Sequence, residues 1–137
     1  MIPDDRPPTT TARSELEVQV RFGDTDTLGH VNNAAYASYA ELGRIDLLRR
    51  VRWDDSGPIL ARLAIDFVAQ VRLDMRVVVT TRVARIGRSS ITMHQEILAD
   101  GQVAATIESV VVWFDYASQR PIAVPEAVRT ALTGDAS

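Results

Sequence analysis

The chain has 137 residues, 46% of them hydrophobic and 24% charged, with 15 basic and 18 acidic side chains giving a formal net charge of −3. Such a length and composition fit one globular domain, and the mild acidity offers no electrostatic footprint for nucleic acid or an anionic membrane. There is no cysteine, which removes disulfides, thiolate nucleophiles and cysteine-ligated zinc and suits a reducing compartment.

Residues 1–13 contain three prolines and three successive threonines, and are expected to form a flexible tail ahead of a single domain over 14–134. The N-terminus is acidic and proline-rich, unlike a signal peptide. No run of about 18 apolar residues is available to span a bilayer. The expected location is the cytoplasm, with neither membrane nor nucleic acid as a partner.

Residues 16–22 alternate apolar and polar side chains, the period of a half-buried strand. Residues 23–31 are a loop rich in Asp, Thr and Gly. A helix is expected over 33–51. Asn32 is a suitable N-cap, Val31 and Tyr36 have the spacing of a hydrophobic staple, and Tyr36, Ala40, Gly43, Leu47 and Val51 share one face. A glycine on that face costs the helix about 1 kcal/mol relative to Ala, and implies close approach to a sheet. Gly57-Pro58 reads as a break. Strands follow at 63–72, 77–86, 90–98 and 103–114, and Pro125 can open a last helix over 125–133. Four successive strands with short turns predict an antiparallel meander, one face of which the long helix covers. The expected class is α+β, a curved antiparallel sheet around one long helix, with open edges that suggest oligomerisation.

The densest polar cluster, Asp24 to Asn33, lies directly before the long helix. A helix N-terminus offers unpaired N–H groups and partial positive charge, which can hold a developing oxyanion. A carboxylate just upstream can attack a carbonyl carbon or deprotonate a water. The same residues also suit plain turn and capping duty. A calcium-loop reading fails because Leu28 and Ala35 stand where oxygen ligands belong. The only histidines, His30 and His94, lack zinc-ligand spacing, and no Gly-x-Ser-x-Gly elbow is present.

The segment from Phe22 to Tyr36, with Tyr39, Glu41 and Arg44, resembles the 4-hydroxybenzoyl-CoA thioesterase family, whose pattern is roughly Asp-x-Asp-x-x-Gly-His-Val-Asn-Asn-x-x-Tyr-x-x-Tyr-x-Glu-x-x-Arg. The chain keeps every position of that pattern. The resemblance implies a hotdog fold and hydrolysis of acyl-CoA thioesters without metal or cofactor. It also implies a homodimer or homotetramer with active sites at the subunit interface. Asp26, rather than Asp24, aligns with the family's catalytic aspartate, and Asn33 with its oxyanion-binding backbone N–H. His30 either orients Asp26 or contacts the carbonyl, or else braces the loop through backbone hydrogen bonds. Glu41 either supports Asp26 or pairs with Arg44. Tyr36 and Tyr39 are expected to line the acyl pocket. Arg88 and Ser90, in the turn 86–90, resemble the segment that meets the CoA nucleotide, often from a neighbouring subunit. The rival readings are a non-catalytic acyl-CoA binding or regulatory module and an acyl-carrier-protein thioesterase.

Overall fold

A computed structural model describes residues 12–53 and 55–133. The elements run β1 (Arg13–Val18), α1 (Asn33–Leu48), β2 (Ser56–Phe67), β3 (Val77–Ile86), β4 (Ser90–Ala99), β5 (Gln102–Asp115), β6 (Arg120–Pro121) and α2 (Glu126–Thr133). All pairings are antiparallel, in the order β1-β3-β4-β5-β2, with β6 on the end of β5. α1 lies across one face of this sheet, in the expected hotdog arrangement. Among the described residues, no helix is long and apolar enough to cross a membrane.

The strands alternate as their period demands. Val77, Val79 and Val83 of β3, Ile91, Met93 and Ile97 of β4, and Ile107, Val111 and Trp113 of β5 point inward and are buried. The predicted helical face is the buried one, since Tyr36, Ala40, Gly43 and Leu47 all lie against the sheet. The apolar core forms two clusters. One surrounds Tyr36, Tyr39 and Ala40 at the start of α1, and the other surrounds Leu47, Trp113 and α2. Between them sits a polar layer of Thr81, Gln95, Ser109 and Arg44.

Gly43 meets this layer. A Cβ there would stand 2.7 Å from Thr81 Oγ1 and Val79 Cγ1 and 2.9 Å from Gln95 Nε2. Overpacking of that kind costs about 1–3 kcal/mol, and the better helix propensity of Ala offsets only about 1 kcal/mol. Gly43→Ala is therefore expected to lower the urea midpoint without changing the slope of unfolding. An unchanged or raised midpoint would contradict this contact.

Several sequence expectations need correction. β2 does not join the meander. It pairs with β5 on the far side of the sheet, and only β3, β4 and β5 are consecutive neighbours. It also begins at Ser56, so Gly57 and Pro58 lie inside a strand instead of breaking the chain. Proline is tolerated there because β2 is an edge strand and needs no ladder donor on its free side. The first strand stops at Val18, and Phe22–Asp24 forms one 3-10 turn. α1 ends at Leu48, after which the N–H groups of Arg50 and Val51 bond the carbonyls three residues back and tighten the last turn. Of the expected tail, residues 1–11 lie outside the described residues. Ala12 is already tied to Leu132 and Val83, and Arg13 begins β1.

Candidate functional site

The loop between β1 and α1 holds itself in shape. The Asp26 carboxylate is exposed, and its Oδ1 accepts the N–H groups of Leu28 (2.8 Å) and His30 (3.1 Å). The Asp26 N–H in turn donates to the His30 carbonyl at 2.7 Å. Gly29, with φ of +82°, makes the reversal in between. The N–H groups of His30 and Leu28 hold the Asp26 carboxyl below its ordinary pKa, so it is ionised at neutral pH. The main chain of His30 thus braces the loop around Asp26. The far end of the loop is pinned where the Val31 N–H meets the Val71 carbonyl at 2.7 Å.

Asn32 caps α1 as expected, its Oδ1 accepting the Ala35 N–H at 3.0 Å. Of the N–H groups in the first turn of α1, that of Ala35 is thus engaged. Among the described residues nothing accepts from those of Asn33 and Ala34. Asn32→Ala is expected to cost about 1 kcal/mol of stability, read as a lower urea midpoint. Full retention of stability would mean that the cap contributes nothing.

Asp26, His30, Asn33 and Tyr36 line one cavity of about 450 Å³, together with Phe67, the last residue of β2, and Val68 just after it. Tyr36 is itself buried. Its ring lies 5.0 Å from that of Phe67, and its hydroxyl donates to the Ala69 carbonyl at 3.3 Å. Phe67 and Val68 stay substantially exposed, which gives the cavity an apolar wall. The sequence placed 67–70 inside a strand and so did not single them out. The clue was a run of residues too apolar for a loop that nonetheless sits where β2 stops.

Other predicted residues lie elsewhere. Tyr39 is buried behind the loop, and its hydroxyl donates to Asp24, so it does not line the cavity. Glu41 is exposed two turns along α1 and does not reach the cavity. No ion pair joins it to Arg44 among the described residues. Arg44 turns inward instead, and its Nη1 donates to Ser109 Oγ at 3.2 Å and Gln95 Oε1 at 3.5 Å. Arg88 and Ser90 stand at the opposite end of the sheet. Ser90 opens β4 beside Val112, whereas Phe67, at the cavity, pairs with Ala105. At about 3.3 Å per residue, the stretch of β5 from Ala105 to Val112 separates the two places by roughly 23 Å.

A larger concavity of about 590 Å³ occupies the sheet's outer face. There Arg82 Nη2 donates to His94 Nδ1 at 3.0 Å, His94 Nε2 donates to Glu108 Oε2 at 3.3 Å, and Arg62 pairs with Glu108. This is a solvated row of hydrogen-bonded charged groups on the face away from Asp26.

The family model of the thioesterase-like superfamily matches residues 20–132. The chain is 34% identical over 125 residues to a chloroplastic acyl-acyl carrier protein thioesterase of Arabidopsis thaliana, covering 85% of this chain and 66% of that protein. It is 25% identical over 122 residues to the acyl-CoA thioesterase YbgC of Haemophilus influenzae, covering 83% and 90%. A solved thioesterase of Thermus thermophilus, complexed with coenzyme A and Zn, superposes with a TM-score of 0.80 at 37% identity, covering 86% of this chain and 95% of that one. The chain thus spans about two thirds of the length of the plant relative.

Proposed function

The chain belongs to the thioesterase-like superfamily, and from that premise we propose that it hydrolyses acyl-CoA thioesters to a free acid and coenzyme A. The observation that carries this reading is the convergence, in one cavity, of the ionised Asp26 and the helix start at Asn33. The thioester carbonyl oxygen would sit against the free N–H of Asn33, where the helix terminus stabilises the charge that develops on it. Asp26 then attacks the carbonyl carbon to give an anhydride that water cleaves, or takes a proton from the water that attacks. The CoA thiolate leaves in either case. In a single turnover in labelled water, enzyme oxygen in the product identifies the anhydride route with water attacking the aspartyl carbonyl, whereas the general-base route puts only water oxygen there.

The proposed functional unit is a homodimer built on β2, or a homotetramer assembled from two such dimers. Its outer edge is unpaired in the single chain, and Ile59, Leu60, Phe67 and Val68 are exposed along it. Antiparallel pairing with the β2 of a second copy would bring the far end of that copy, with its Arg88 and Ser90, toward this chain's Phe67 and cavity. Those residues then suit the phosphorylated nucleotide end of CoA, from the neighbouring subunit. The subunit arrangement is tested by sedimentation. A protein monomeric at micromolar concentration yet fully active would exclude an interface site.

Thiol release over a panel of acyl-CoA chains, with acyl-carrier-protein substrates alongside, tests the activity. Hydrolysis of acyl-CoA is the expected outcome. Release from the carrier-protein substrates alone would assign the other thioester class, and release from none would leave a binding module.

A further inference from the structure

The second aspartate of the loop has a different environment from the first. Asp24 is 8% exposed, and both of its strong bonds converge on one oxygen. Oδ2 accepts the Arg21 N–H at 3.0 Å and the Tyr39 hydroxyl at 2.8 Å, while Oδ1 has only a 3.4 Å contact with the exposed Arg21 guanidinium. Its main-chain carbonyl accepts the N–H of Asn32, the N-cap of α1, at 2.9 Å. Tyr39, 3% exposed, rises from the second turn of the same helix. Asp24 thus joins the strand exit, the helix cap and the helix body within a few ångströms, two residues before Asp26. Among the described residues Asp26 has no bond of its own to α1: its partners are Leu28, Gly29 and His30, inside the loop. The distance between its carboxylate and the free N–H groups at the helix start is therefore set by the anchors on either side.

We propose that Asp24 and Tyr39 form a positioning latch that holds the Asp26 loop against the start of α1. Asp24 acts as a hydrogen-bond acceptor and takes no part in the chemistry. The proposal rests on the acyl-thioester reading of the same cavity. Burial pushes the Asp24 carboxyl up, but the Arg21 N–H, the Tyr39 hydroxyl and the Arg21 guanidinium outweigh it and keep it ionised as an acceptor. Burial, then Asp24 itself, raises the Tyr39 hydroxyl, so it remains a proton donor. The other anchor, the Val31 N–H on Val71, survives loss of the latch, so the loop should loosen without the domain unfolding.

The two aspartates can then be told apart by the same change. An amide at position 24 keeps an oxygen that can accept from both Arg21 and Tyr39, whereas an amide at position 26 loses the reactive charge. The experiment compares Asp24→Asn, Asp24→Ala, Tyr39→Phe and Asp26→Asn. It reads kcat and KM on the best acyl-CoA of the panel, and the Asp26 titration by carboxyl carbon NMR. A displacement of catalytic groups by ångström fractions costs about 10- to 100-fold in rate. Tyr39→Phe and Asp24→Ala should lose that much in kcat with KM within about threefold, and the Asp26 carboxyl should titrate closer to its ordinary value. Asp24→Asn should restore most of what Asp24→Ala loses. If Tyr39→Phe and Asp24→Ala lower only the melting temperature and leave kcat and the Asp26 titration untouched, the pair is scaffold and the latch is wrong. If Asp24→Asn is as inactive as Asp26→Asn, Asp24 is itself a reacting group. If the wild type releases no thiol from any acyl-CoA, the thioesterase reading fails, and the NMR arm still decides whether the pair positions Asp26.

Discussion

Asp26→Asn is expected to lower kcat on a good acyl-CoA by on the order of 10³-fold, with melting temperature and KM nearly unchanged. The structure makes this a clean substitution. The carboxylate is exposed, so no core packing is disturbed, and its bonded oxygen accepts two main-chain N–H groups that an amide oxygen can also accept. Only the negative charge is lost, and that charge is what either hydrolytic route requires. The pH profile follows from the same bonds. The N–H groups of His30 and Leu28 depress the Asp26 carboxyl, and the active form is the ionised one. The acid limb of the profile should therefore have its midpoint below the ordinary carboxylate value of 3.8. A rate within tenfold of wild type for Asp26→Asn, or an acid limb near pH 6, would remove Asp26 from the chemistry.

The shape of this loop was partly legible in the sequence because its parts are local, whereas the choice of Asp26 over Asp24 came from the family resemblance. An N-cap and a carboxylate just before a helix act over short spans, and their side chains bond neighbours in the chain. Gly43 was legible for the same reason: a glycine on an apolar helical face has few explanations besides close approach. What failed was long-range. The crossing of β2 to the far side of β5 leaves no periodic trace, because a strand alternates in the same way whichever neighbour it has. Tyr39 looked like pocket lining, since an aromatic on the helix's inner face gives no sign that its hydroxyl is taken by Asp24. Glu41 and Arg44 looked like an i,i+3 pair on spacing alone. The preference of Arg44 for the core depends on Gln95 and Ser109, which lie 51 and 65 residues away.

That buried layer yields the second large prediction, in which a more apolar core is the less stable one. Gln95 is 1% exposed and uses every polar atom it has. Its Nε2 donates to the Ala40 carbonyl at 2.9 Å and to Thr81 Oγ1 at 3.0 Å, while Oε1 accepts from Ser109 Oγ at 2.8 Å and Arg44 Nη1 at 3.5 Å. Leu at this position has nearly the same volume and sits on a strand face already lined by Ile91, Met93 and Ile97. Area alone would favour it. The loss is at the partners: Thr81 and Ser109 keep buried hydroxyls with fewer bonds, and the Arg44 guanidinium, 5% exposed, loses an acceptor. Burial lowers the Arg44 pKa, but a guanidinium does not escape by deprotonating at neutral pH, so the penalty falls on the fold. Breaking a buried charged network from one side costs about 3–5 kcal/mol, and Gln95→Leu is expected near the lower end in urea denaturation. Arg44→Met added to it should recover more than about 1 kcal/mol of the loss, because the stranded charge is then gone, and the double-mutant cycle isolates that coupling. Gln95→Leu at parental stability, or strict additivity in the cycle, would show that the layer is not a connected network. Because Gln95 grips the Ala40 carbonyl seven residues after Asn33, or about 10 Å along α1 at 1.5 Å per residue, the same bonds fix the register of the helix on the sheet. The position of the free N–H groups facing Asp26 is thus set from within the core, as well as by the loop.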